Sequence, residues 1–249
     1  MKKTYIIFQR DFRDILKTRA FIIICILVSL LTIAAAAITS VLLGRREWIG
    51  EEAARPLLEL IIGLLAFFFP FTVLMVFIWG FSGLQIVKEK VEGITASLIA
   101  TTISPRQLWI GKSMAIFIPG YLMAIASTML VVLSINFLVI LPASGNFIFP
   151  LPLFLVSLIW DPLLLLATLM FIILFSLAGN PDIAIAPSFI VGFGLMMGIP
   201  IGMALGAIDL VSWDFSLWYM AATVVFWIIV TILTRLLTKE NILLSGKGS

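Results

Sequence analysis

Residues 20–43 read AFIIICILVSLLTIAAAAITSVLL, an apolar run without a charged side chain, closed by Arg19 on one side and by Arg45 and Arg46 on the other. A helix rises about 1.5 Å per residue, so about 20 apolar residues cross a hydrocarbon layer about 30 Å thick. A run of this length therefore predicts a membrane-spanning helix. Five further stretches read the same way, at 57–87, 113–141, 153–178, 183–207 and 217–237. The run at 57–87 would measure about 46 Å as a helix, so it must tilt or protrude. Of 249 residues, 62% are hydrophobic and 12% charged, and the mean hydropathy is +1.22. Soluble domains carry roughly twice that share of charge. The expected fold is all-α: a polytopic membrane protein with six transmembrane helices in a single domain, residues 1–249.

The chain has no histidine and one cysteine, Cys25, inside an apolar run. Histidine-dependent catalysis, an intrachain disulfide and a cysteine-rich metal site are thereby excluded. The net charge of +3 does not indicate nucleic acid, because the cations flank apolar spans, where they set orientation and meet anionic lipid. With both termini cytoplasmic, only Arg45, Arg46 and Arg55 of the 16 basic residues lie outside. This bias favours an even number of spans. Ahead of the first span, Phe8, Phe12, Ile15 and Leu16 recur at helical spacing, with Arg10, Asp11, Arg13, Asp14 and Lys17 on the remaining surface. The pattern predicts an N-terminal interfacial amphipathic helix, retained in the protein.

Prolines and glycine at 142–152 predict a turn, and Gly179-Asn180-Pro181-Asp182 a tight return. Glu59 falls in the first turn of the second span, where a carboxylate complements the helix dipole. Asp161 interrupts the fourth apolar stretch just before Pro162. Its carboxylate is expected to reach outer water or cap the helix that follows; the other reading places it in a solute or ion pathway. In the fifth span Gly194, Gly198, Gly202 and Gly206 recur every four residues, a ladder suited to close helix packing, within the chain or at a dimer seam. Pro200, inside the ladder, should kink that span. Met196, Met197 and Met203 read as core filler rather than a copper site.

The longest inner interruption, residues 88–112, is KEKVEGITASLIATTISPRQLWIGK. It opens with the charges Lys88, Glu89, Lys90 and Glu92. Ser104, Pro105 and Arg106 have the form of a capped helix start, with proline at the first helical position. A short helix lying flat below the membrane would fit this loop. The stretch resembles the loop after the second span of ABC type-2 transporter permeases, E-x-E-x-G-T-x-E-x-L-x-A-T-P-[VI]-S followed by L-G-K. Glu89, Gly93, Leu98, Ala100, Thr101, Ile103, Ser104, Ile110, Gly111 and Lys112 match it at the same spacing; Ile94, Ala96 and Thr102 depart from it. The tail Lys239-Glu240-Asn241-Ile242-Leu243 is similar to the ending that follows the sixth span in that family.

The resemblance implies a half-transporter. Two such chains, identical or different, would pair to form the translocation pathway, and a separate ATP-binding cassette ATPase would dock beneath them. Glu89, Glu92, Gly93, Ser104, Pro105, Arg106, Gly111 and Lys112 would belong to a cytoplasmic coupling helix and its flanks between spans 2 and 3. The first and fifth spans would lie near the dimer seam. Export is the direction the family implies, in the plasma membrane of a prokaryote. The chain lacks a Gly-x4-Gly-Lys-[Ser/Thr] phosphate loop; residues 245–249 lack the flanking strand and helix and read as a flexible end. ATP and magnesium are therefore expected in the partner, with no catalytic, cofactor or metal site in this chain. An autonomous secondary transporter or channel, with Asp161 in its pathway, is the alternative. An aspartyl intramembrane enzyme fails because Asp161 has no second carboxylate within another span.

Overall fold

A computed structural model describes residues 2–45, 47–82, 97–98, 103–178 and 186–245. Every regular element among them is helical. In chain order these are α1 (Lys2–Lys17), α2 (Arg19–Gly44), α3 (Arg55–Ser82), α4 (Pro105–Ile135), α5 (Leu141–Ser144), α6 (Leu151–Leu155), α7 (Asp161–Ala178), α8 (Ala186–Ala204), α9 (Trp213–Leu233) and α10 (Lys239–Ser245). Between α2 and α3 lie two short turns, Glu47–Gly50 and Glu52–Ala54. Five helical stretches are long and apolar enough to cross a membrane: Arg19–Gly44, Glu52–Ser82, Pro105–Ser144, Leu151–Ala178 and Trp213–Leu236. The expected fifth span, α8, is apolar but shorter than these.

Helix boundaries follow local chemistry. Thr18 has extended backbone geometry and its hydroxyl accepts from the Phe21 amide, so it separates α1 from α2. Ser104 and Gln107 form a reciprocal capping box, with Pro105 at the first position. The capped start is where the sequence places it, but it opens the third span itself. Residues 105–112 are the first turns of α4, and no separate flat helix begins there. The connection between the stretches at 183–207 and 217–237 is likewise shorter, because Ser212 caps α9 and the helix already includes Trp213.

The turn expected at 142–152 is present but narrower, between Ser144 and Leu151, and neither Pro142 nor Pro162 breaks a helix. Before Pro142 and before Pro162 the helix widens into π-helical turns, Asn136–Ile140 and Val156–Trp160. In each, the next amide donates five residues back, Leu141 to Asn136 and Asp161 to Val156. The widened turn gives the proline ring room, so Pro105–Ser144 and Leu151–Ala178 each continue as one helix. Pro162 cannot donate to the carbonyl of Leu158; the Tyr121 hydroxyl of α4 does, at 2.8 Å.

The core is built on α4, which packs against α1, α2, α3 and α7. Helices α3 and α7 are largely enclosed, whereas α2 and α9 expose wide apolar faces. Trp109 of α4 donates its indole N–H to the Met170 carbonyl of α7 at 2.7 Å, and Trp227 of α9 donates to the Leu163 carbonyl at 3.0 Å. Trp79 of α3 donates to Ser188 of α8 at 3.1 Å and stacks on Phe189. Gly192 fits against Met75 and Trp79 at this junction. The chain stays helical on both sides of Pro200.

At the far end of α4, Asn136 is fully buried and holds the returning hairpin. Its amide donates to the Val132 and Ile148 carbonyls at 3.0 and 3.3 Å, and its oxygen accepts from the Ile148 amide at 2.9 Å. Asn136→Leu would leave the Ile148 backbone groups without these partners and should cost about 1–3 kcal/mol. Thermal unfolding of the purified variant in detergent checks this; an unchanged melting temperature would contradict it.

Candidate functional site: a buried ion pair and a buried carboxylate

On α1, Ile7, Asp11 and Ile15 occupy one helical stripe, and all three are buried. The stripe lies against α4, with Ile7 packed on Gly111. A Cβ at Gly111 would stand 2.9 Å from Ile7 Cγ2 and 3.2 Å from the Thr4 carbonyl, so glycine permits the close approach of the two helices. One residue on, the Lys112 ammonium donates to Asp11 Oδ2 at 3.1 Å, with both side chains 3% exposed. Arg10 completes the cluster: its Nε and Nη2 lie 2.7 and 2.6 Å from Asp11 Oδ1. The carboxylate is thus held on both oxygens. Burying a charge is costly unless it is paired and hydrogen-bonded, and this geometry meets that condition.

This arrangement corrects the reading of the leader helix. Asp11 does not share the solvated face with Arg13 and Asp14; it lies inside the α1–α4 contact. Phe8 and Phe12 are half-buried, their rings 5.3 Å apart, and Leu16 is exposed. The signal for Asp11 was a single carboxylate between Ile7 and Ile15 at intervals of four, on a stripe otherwise apolar.

Of the residues singled out in the inner loop, Glu89, Glu92 and Gly93 lie outside the described residues, as does most of the expected coupling helix and the return at 179–182. Leu98 packs against the core. Ser104, Pro105 and Arg106 sit at the start of α4, with Ser104 and Arg106 exposed. Gly111 and Lys112 lie about two turns further along, in the contact with α1.

The glycine ladder separates into different uses. Gly194 and Gly198 are exposed on α8, and a Cβ at either would meet nothing within 4 Å among the described residues. Close packing against the described residues does not account for those two. Gly202 is covered by Ile208, which folds back over it. Gly206 is not on the helix at all. It has φ +71°, and the Gly206 and Ala207 amides donate to the Met203 and Gly202 carbonyls at 3.0 and 2.8 Å. That is the left-handed glycine ending of a Schellman turn.

Asp161 reaches no water. It is fully buried within the continuous Leu151–Ala178 helix and caps nothing. The Tyr219 hydroxyl of α9 donates to its Oδ1 at 2.6 Å. Its Oδ2 is buried without a hydrogen-bond partner among the described residues. Phe67 of α3 meets the Tyr219 ring edge-on at 5.8 Å, and Phe215 lies equally near. Sequence reading missed Tyr219, which lies 58 residues away on another helix. Asp161 and the Asp11–Lys112 pair are separate sites: α7 meets α4 near Trp109 through Met170, nine residues along from Asp161.

Comparison of the chain with protein-family models, with curated proteins and with solved structures returns no match.

Removing one member of the ion pair, as Asp11→Ala or Lys112→Met, takes one partner from a buried charge and should cost about 1.5–3 kcal/mol. The double variant D11A/K112M should recover part of that loss. A double-mutant cycle of melting temperatures in detergent measures the coupling; strict additivity would rule the pair out as a stabilising contact.

Proposed function

We infer that the chain is the membrane-spanning permease subunit of an ATP-binding cassette transporter. It crosses the plasma membrane of a prokaryote six times, with α8 as the fifth crossing and both termini cytoplasmic, and it pairs with a second permease chain to form an export pathway. A separate subunit binds and hydrolyses ATP with magnesium. The observation that carries this reading is the position of Gly111 and Lys112. They end the stretch that resembles the permease loop, and they are the residues on which α1 is clamped to α4. A push on the inner loop would reach a joint that is close-packed and ion-paired, and pass from there into the bundle. The distribution of basic residues supports the same topology, and the exposed Gly194 and Gly198 offer a face on which another helix backbone can approach.

A second reading is favoured by one observation: Asp161, with an unpartnered buried oxygen, would serve an autonomous secondary transporter or channel, whose pathways commonly contain buried ionisable groups. The two readings differ in their need for a partner and for nucleotide. Affinity purification from native membranes should recover an ATP-binding cassette ATPase with the chain. Glu89→Gln and Gly93→Val should lower substrate-stimulated ATP hydrolysis by about tenfold at equal expression, a loss of about 1.4 kcal/mol in coupling. Transport by the isolated chain without nucleotide, abolished by Asp161→Asn, would instead establish the second reading.

A further inference from the structure

The turns between α2 and α3 and the hairpin after α5 enclose a cavity of about 550 Å³, within the range of roughly 300–1,000 Å³ typical of small-molecule sites. Its floor is apolar: Ile49 and Leu58 are 2% exposed and Ile148 6%. Phe147 joins the lining with an exposed ring, edge-on to Phe137 at 5.9 Å. Glu51 and Glu52 also line it, both exposed, their carboxylates without a partner among the described residues. Arg55 lines the cavity as well, its Nε turned to Glu59 at 3.0 Å, so the lining holds one guanidinium against two carboxylates. Polar groups on the hairpin wall are already committed: the Ser144 hydroxyl donates to the Ile140 carbonyl at 2.9 Å, and the Asn146 amide to the Ser144 carbonyl at 3.3 Å. The walls are fixed in place by the Asn136 clamp and by Gly50, where a Cβ would stand 3.0 Å from the Ala143 carbonyl oxygen.

The excess of carboxylate in the lining disfavours an anion, and a hydrated metal ion would gain nothing from the apolar floor. A cation carrying an apolar body suits both the acidic and the apolar part of the lining. We propose that this cavity binds amphipathic organic cations, Glu51 and Glu52 facing the charge and Ile49, Leu58, Phe147 and Ile148 the apolar body. The assignment does not depend on whether an ATPase drives the chain.

Tetraphenylphosphonium and tetraphenylborate match in shape and oppose in charge, which makes them the probes. Equilibrium dialysis against the purified full chain in detergent should give one saturable phosphonium site per chain and no saturable borate site of comparable affinity. The exposed-residue variant E51Q/E52Q should weaken phosphonium binding at least about fivefold with an unchanged melting temperature. Ile148→Trp, which fills the floor, should remove the site. Phosphonium binding that is non-saturable, matched by borate, or unaffected in E51Q/E52Q overturns the proposal.

Discussion

Inside an apolar bundle each backbone N–H and C=O needs a partner, because water is not there to supply one. The arrangement of this chain follows from that constraint. It explains why every described regular element is a helix, and why Pro142 and Pro162 are accompanied by compensating features. Pro162 withholds a donor, and the Leu158 carbonyl takes one from Tyr121 instead. The returning segment at Ile148 lies outside any helix, and Asn136 supplies both an acceptor and a donor to it. Each device ties two segments together, so meeting the local requirement also fixes tertiary structure.

The same rule applied to charge produces the α1–α4 joint. Asp11 and Lys112 are buried as a pair, and Arg10 occupies the remaining carboxylate oxygen. Gly111 then lets the helices approach closely enough for the pair to form. Asp161 is the exception: Tyr219 serves one oxygen and the other is left unserved. Natural proteins tolerate such an omission mainly where it has a use, which is why this carboxylate belongs among the candidate sites.

Apolar runs located the long helices well, since length and composition alone decide whether a stretch can cross a bilayer. The reading went astray where distant groups altered local chemistry. Residues 105–112 looked like a polar connection because Lys112 carries a charge, and its partner Asp11 lies 101 residues earlier. Asp161-Pro162 looked like a break because the π-turn and the Tyr121 hydroxyl that absorb it cannot be read from that stretch. The glycine ladder was legible as spacing but not as purpose: Gly206 ends the helix, Gly202 makes room for Ile208, and only Gly194 and Gly198 present an open face.

Pro105–Ser144 is a single helix of 40 residues, a rod about 60 Å long at the usual rise. Rods amplify. A tilt of about 5° at one end displaces the other by about 5 Å over this length. One end carries the ion-paired leader and the other the hairpin beside the Glu51–Glu52 cavity. The ion-paired leader and the cavity are therefore joined by one continuous helix, along which a small tilt at either end would become a displacement at the other.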